Sequence, residues 1–376
     1  MMAGQPQKPI EIGLVLQGGG ALGAYEWGAV TALLELMDQA EAQGRQVTLK
    51  AVTGVSIGAL NAACIVGSRD RADARRRLAD LWQDLRLDVP SFLPQPVRRD
   101  LALFGLPGFY VPRADVWAFS TWTYVYEPSL LPRTLERHVD FAALNSSETT
   151  FVATAVDVES GVLTRFRNRG AARSDKDPQD RGLERDEVAR IGPRHILASA
   201  SLAPGFPWTE INGRKYWDGG LVDNTPLGDA IDAFSDDPEV DRLLVVMNLY
   251  PLRARLPRNL PEVDDRLHEI GYASRVRQDR VTAERINEFI ATIEALAALV
   301  PTEALTGDAK RRIARARQYK TVEVVDIDMQ DPSETDPAQQ DVADDRYGLR
   351  DFSAPTIERR RANGYALAMR RLAPLF

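Results

Sequence analysis

An α/β fold, a three-layer sandwich around a mainly parallel central sheet with a largely helical carboxy-terminal extension, is what the sequence predicts, and three observations predict it. Ile10 to Leu16 form an apolar run that breaks at Gly18 to Gly20 and gives way to a helical apolar pattern from Gly23 through Leu36. The same strand, glycine turn and helix recur at once, with Leu49 to Thr53 as a buried strand, Gly54 to Gly58 as a tight turn and Ala59 to Val66 as a small-residue helix. Further buried-strand patterns stand at Val240 to Leu249 and Thr321 to Ile327, far down the chain. Strands separated by helical segments build parallel sheets covered on both faces.

The remaining elements follow in order. Asp70 to Leu85 is an amphipathic helix with Ala74, Leu78, Leu81 and Leu85 on one side. Val89 to Tyr126 carries prolines, glycines and many aromatics, Trp117 and Trp122 among them, in no regular pattern; an ordered excursion that completes the core and a lid or flap over an apolar ligand are equally good readings. Strands resume at Thr150 to Val156 and Val162 to Phe166, and Arg169 to Glu187 reads as a solvated loop. Helix Arg194 to Leu202 precedes a hairpin turning at Asn212-Gly213, whose second arm runs into Asp218-Gly219-Gly220. From Pro251 to Arg317 the chain is helical and charge-laced. Asp328 to Asp345 reads as an acidic linker, and a final helix capped by Ser353 carries Arg359, Arg360, Arg361, Arg370 and Arg371 on a solvated face. These shifts divide the chain into a first domain, 1–250, and an extension, 251–376, packed on it.

A chain of 376 residues with 44% hydrophobic content buries a sizeable core. The net charge of −7 argues against nucleic acid as a partner, and nothing fixes an oligomeric state. Cys64, the lone cysteine, reads as a packing residue. The first ten residues lack the apolar core of a secretory signal, and no run approaches the roughly 20 apolar residues of a membrane span. The expected location is cytoplasmic, with peripheral contact at a membrane's inner face left open. His138, His195 and His268 stand apart from one another and from any zinc-type spacing, so neither metal nor other cofactor is expected.

Three sites carry chemistry. Gly54-Val55-Ser56-Ile57-Gly58 fits G-x-S-x-G between a strand and a helix, the setting of a nucleophile elbow, where a sharp turn presents the serine and a helix N-terminus lies behind it. Gly18-Gly19-Gly20-Ala21-Leu22-Gly23 fits G-x-G-x-x-G, which suits a dinucleotide pyrophosphate or an oxyanion equally well. The next strand ends at the serine elbow instead of the acidic residue a dinucleotide ribose needs, which favours the oxyanion. Asp218, followed by Gly219 and Gly220, could serve as the base that a serine hydroxyl requires, with His195 and His268 as rivals.

In this order and spacing the three motifs resemble the patatin-like phospholipase family. The resemblance covers roughly Ile12 to Leu249 and includes His195 to Ser199, Pro204-Gly205-Phe206 and Asn224-Thr225-Pro226. It implies that Ser56 is the nucleophile and Asp218 its base. It also implies an oxyanion loop of Gly18, Gly19, Gly20, Leu22 and Gly23, the amides of Gly19, Gly20 and Leu22 donating. Gly54, Ile57 and Gly58 would shape the elbow, and Gly219 and Gly220 the base loop. The substrate implied is a lipid or other acyl ester. Two positions depart from the family pattern: Gln17, where an acidic residue is frequent, and Leu22, where Arg or Lys is frequent. The second removes a cation near the substrate head group, which bears on phospholipid preference more than on ester hydrolysis. An acyltransferase using the same serine, and a catalytically silent lipid- or protein-binding module, stay open as alternatives.

Overall fold

Ile10, Ile12, Leu14 and Leu16 turn to one face of the first strand and Val15 to the other, and both faces are covered by helices. The computed structural model describes residues 8–90, 92–170, 184–250, 256–257, 260–299, 306–308, 310, 313, 320–329 and 349–376. In chain order the elements are β1 (Ile10–Leu16), α1 (Gly23–Ala42), β2 (Val47–Gly54), α2 (Ile57–Val66), α3 (Arg71–Leu85), α4 (Gln95–Asp100), β3 (Val111–Pro112) and β4 (Tyr126–Glu127). Next come α5 (Leu131–His138), α6 (Phe141–Ser146), β5 (Thr150–Asp157), β6 (Leu163–Arg167), β7 (Glu184–Val188), α7 (Pro193–Ser199), β8 (Thr209–Ile211) and β9 (Arg214–Asp218). The chain continues through α8 (Leu227–Asp232), β10 (Asp241–Asn248), α9 (Leu260–Ala298), β11 (Glu323–Asp328) and α10 (Ala354–Leu372).

The main sheet runs β11-β10-β1-β2-β5-β6-β7. Its pairs are parallel from β11 to β5 and again between β6 and β7, with β5 and β6 antiparallel. One face carries the larger core, into which α1, α2, α3 and α10 pack; the other is closed over Val15, Leu244 and Val246 by Leu227 and Ala230 of α8 together with Phe234. This is the expected three-layer α/β sandwich. None of the described helices is long and apolar enough to cross a membrane.

Beyond residue 250 the chain returns to this frame. β11 pairs with β10 at the sheet edge, and α10 crosses α1 so closely that a Cβ on Gly28 or Gly364 would strike the other helix's backbone. Two expectations change here. The arginine-rich last helix is a packing helix: Arg370 and Arg371 are exposed, but Arg360 is fully buried and Arg361 lies over the Trp27 ring. Ser353 stands at the helix start without capping it, because its hydroxyl donates to Asp351 instead of accepting a helix N–H.

A third correction concerns Arg169 to Glu187. Glu184–Val188 is a strand, its acidic side chains bound by the cations of its neighbour: Arg165 pairs with Glu184 and Arg167 with Asp186. Charge pairing across the strands replaces the apolar alternation that a sequence reading relies on. Residues 171–183 and the acidic linker from 330 to 345 lie outside the described residues, as do most residues of the helical stretch after 299.

Candidate active site

Serine and aspartate, 162 positions apart in the chain, meet because two strands share one edge of β5. β2 runs parallel to β5 and occupies Thr150 to Ala153, ending with Gly54 opposite Ala153. β9 runs antiparallel and occupies Ala155 to Asp157, ending with Asp218 opposite Ala155. The two strands therefore point head to head, their final residues about 7 Å apart along β5 at two residues of strand rise. Ser56 lies just past one end, near enough to the Asp218 carboxylate for its side chain to oppose the rise in that group's pKa.

The elbow is built by crowding. Ser56 sits at φ 54°, ψ −122°, a backbone region that side chains rarely occupy, immediately before α2. A Cβ on Gly54 would lie 2.4 Å from the Gly58 carbonyl oxygen, and one on Gly58 would lie 2.5 Å from that of Leu16. Only glycine lets β1, β2 and α2 approach this closely. The Ser199 hydroxyl at the end of α7 accepts the Ser56 N–H at 3.0 Å and holds the turn.

Asp218 is fixed and dry. Its Oδ1 accepts the Gly220 N–H at 2.8 Å, and the residue is 2% exposed. Burial raises its pKa to about 7, against the opposing pull of the nearby Ser56 side chain and of the Gly220 N–H. A carboxylate of this kind is a far stronger base than a solvated aspartate near ~4.

The glycine loop narrows the expected donors. Gly18 N–H is taken by Asn224 Oδ1, Leu22 N–H by the Gly19 carbonyl and Gly23 N–H by the carbonyls of Gly20 and Ala21. Those three amides are consumed in shaping the loop, which corrects the expectation that Leu22 donates to the oxyanion. Among the described residues, the N–H groups of Gly19 and Gly20 have no protein acceptor. The Ile57 N–H, at the first position of α2, is likewise unclaimed.

Sequence reasoning missed the buried polar frame behind this loop. Gln17 donates to Thr225 through its side-chain amide and accepts the Leu249 N–H, while Asn224 and the Tyr250 hydroxyl both donate to the Gly18 carbonyl. Glu26 accepts the Gln17 N–H at 2.7 Å and the Asn61 side-chain amide at 3.0 Å. Burial lifts its pKa to about 8 against the pull of these two hydrogen bonds. The departure at Gln17 thus has a physical reason, since an amide both donates to Thr225 and accepts from Leu249, which a carboxylate cannot do. Asn224 and Thr225 stood in the motif region, but nothing in their spacing signalled these partners.

The rival bases fare differently. His195 takes the Gly192 N–H on Nδ1 at the start of α7 and packs edge-on to Phe166, a local structural task. His268 falls within α9, its side chain outside the described residues. Cys64 is fully buried, its thiol pushed up to about 12 by burial, as a packing residue should be. The aromatic stretch is hooked onto the loop after α7: the N–H groups of Val125 and Tyr126 both donate to the Gly205 carbonyl, and Phe206 packs against Phe109, Tyr110 and Tyr126. Trp117 and Phe119 project into solvent, and Arg113 lies over the rings of Trp122 and Tyr124.

A family model described as patatin-like phospholipase matches residues 14–231, and a second, described as patatin phospholipase, matches residues 270–374. No curated protein matches the chain. Among solved structures it is similar to VipD from Legionella pneumophila, at 13% identity over 98% of this chain and 67% of that one, with a TM-score of 0.37. It is also similar to the ExoU–SpcU complex from the type III secretion system of Pseudomonas aeruginosa, at 14% identity over 94% of this chain, with a TM-score of 0.29. The chain spans 52% of that second protein's length.

Proposed function

Since the chain belongs to the patatin-like phospholipase family, we propose that it is a serine acyl hydrolase that cleaves lipid esters with Ser56 as nucleophile and Asp218 as the single base. The observation that carries this reading is the meeting of β2 and β9 on one edge of β5, which sets Ser56 beside a buried Asp218 whose pKa burial raises to about 7. Asp218 takes the Ser56 proton as Oγ attacks the ester carbonyl carbon. The Gly19 and Gly20 amides receive the resulting oxyanion, with the α2 N-terminus behind Ser56 adding positive potential. The tetrahedral intermediate collapses by breaking the bond to the leaving oxygen, which takes the proton from Asp218 and departs as alcohol or lysolipid. Water then gives its proton to Asp218 and attacks the acyl-serine. Collapse releases the acid and returns the proton to Ser56.

The test is labelling by a fluorophosphonate together with hydrolysis of p-nitrophenyl esters and phospholipids. Wild type is expected to label and turn over, Ser56→Ala to do neither, and His268→Ala to behave as wild type. A dead His268→Ala variant would move the base to the histidine. Because Asp218 must be ionised to act, kcat/KM should rise with pH through an apparent pKa near 7 and level off above it. A profile already flat from pH 5 would mean that Asp218 is not the base.

The aromatic segment between residues 92 and 126 is assigned to the acyl chain, supported by its anchorage at Gly205, six residues past the Ser199 that holds the elbow. Trp122→Ala should lower kcat/KM for long-chain esters about tenfold while changing short-chain esters by less than about twofold, given the ~1.5–3 kcal/mol that burying a large apolar group contributes. Equal behaviour toward both chain lengths would remove the segment from the acyl site.

A further inference from the structure

The loop that offers the Gly19 and Gly20 amides is not held by its own domain alone. Ala21 N–H donates to the Leu349 carbonyl at 2.9 Å, across 328 positions of chain. Gly20 beside it has φ 53°, and a Cβ there would lie 2.6 Å from the same Leu349 oxygen. Ala21 is fully buried, so its N–H has no water to fall back on, and Leu349 supplies the only acceptor it has among the described residues.

The segment carrying that carbonyl is itself locked. Leu87 and the residues around Ser353 form a parallel bridge, Leu87 N–H donating to Phe352 and Ala354 N–H to Leu87. Fully buried Asp351 accepts from the Ser353 N–H and hydroxyl and from the Thr356 hydroxyl. Phe352 stacks on Trp82, which stacks on Trp27. The Trp82 indole donates to Asn61, Asn61 donates to Glu26, and Glu26 accepts the Gln17 N–H at the loop's root. Two routes therefore join residues 349–353 to the glycine loop, one through a backbone carbonyl and one through a buried stack and polar chain.

We propose that Leu349–Ser353, in the carboxy-terminal region, is a positioning element of the hydrolytic site, aiming the Gly19 and Gly20 amides by fixing Ala21 from behind. This rests on the reading of Ser56 as an acyl-transferring nucleophile. Oxyanion donors act through placement, and displacement of about 1 Å costs up to ~100-fold in rate. Substrate binding in the ground state needs no such alignment, so kcat should suffer and KM should not.

Three variants of the full chain test this on a p-nitrophenyl ester. An ester in place of the Gly20–Ala21 amide deletes the Ala21 N–H and weakens the Gly20 carbonyl as an acceptor, though the Gly23 N–H keeps the Ala21 carbonyl as a second one. It should lower kcat and the fluorophosphonate labelling rate roughly 10- to 100-fold with KM within about twofold of wild type. Phe352→Leu, which loosens the stack, should lower kcat in the same sense. Leu372→Ala, buried at the far end of α10 and about 27 Å from that helix's start at 1.5 Å per residue, should reduce Tm at least as much as Phe352→Leu while leaving kcat within about twofold. If kcat in the first two variants stays at the wild-type value, or falls only in proportion to Tm as in Leu372→Ala, the positioning role is refuted. Should the ester-containing chain not fold, Phe352→Leu against Leu372→Ala decides alone. A wild type that never labels at Ser56 refutes the hydrolase reading itself, whereas a labelled wild type with indifferent variants refutes only the positioning role.

Discussion

Asp218→Asn is expected to lower kcat/KM about 10⁴-fold on any ester the wild type hydrolyses, and to make the protein more stable above pH 7. The two halves have one cause. Asn keeps the shape and can still accept the Gly220 N–H through its oxygen, but it cannot take a proton from Ser56. The folded pKa of Asp218 is raised by burial to about 7 from the ordinary value of 3.8. Its contribution to stability is therefore full below the unfolded value and is lost as pH rises through the folded one, because the folded chain holds the proton more tightly. At pH 8 the native state carries the whole cost of a buried carboxylate, up to roughly 4 kcal/mol at 1.36 kcal/mol per unit, and Asn removes it. Steady-state kinetics and urea unfolding at pH 5 and pH 8 check both halves. A variant retaining a tenth of wild-type activity, or one less stable than wild type at pH 8, would contradict the assignment.

Gly58→Ala should remove more than about 99% of activity and destabilise the fold by 1–3 kcal/mol or more. The added methyl would meet the Leu16 and Gln17 carbonyl oxygens at 2.5 and 2.7 Å, and both belong to backbone at the end of the central strand. Relief requires α2 to move away from β1, carrying Ser56 away from Asp218 and the glycine loop. Gly44→Ala is the matched comparison: Gly44 has φ 91° with open space around it, so its substitution costs backbone strain of about 1–2 kcal/mol and no activity. Thermal melts and ester kinetics on the two variants separate crowding at the elbow from strain in general. Full activity in Gly58→Ala would show that the elbow tolerates the displacement.

The α/β class and the three motifs were legible because each is local. An apolar run, a glycine turn and a small-residue helix declare themselves within about fifteen residues, and the close approaches at Gly54 and Gly58 are the reason those positions read as glycine. Gly18, Leu22 and Gly23 were legible as members of the loop but not as non-donors, since which N–H groups stay unclaimed depends on Asn224 and on how the loop turns back on itself. The edge strand Glu184–Val188 was hidden because its partners satisfy it by charge.

By itself the sequence determined the order of strands and helices, the serine at a strand–helix turn, the glycine loop before it and an aspartate at a hairpin's end. Tertiary structure alone decided that β2 and β9 meet head to head on one edge of β5, which makes Ser56 and Asp218 neighbours. It alone decided that burial raises that aspartate's pKa, and that Glu26, Asn61, Gln17 and Leu349 brace the loop. The division follows from range: a turn is written in adjacent residues, whereas desolvation and a hydrogen bond across 328 positions exist only once the chain has closed on itself.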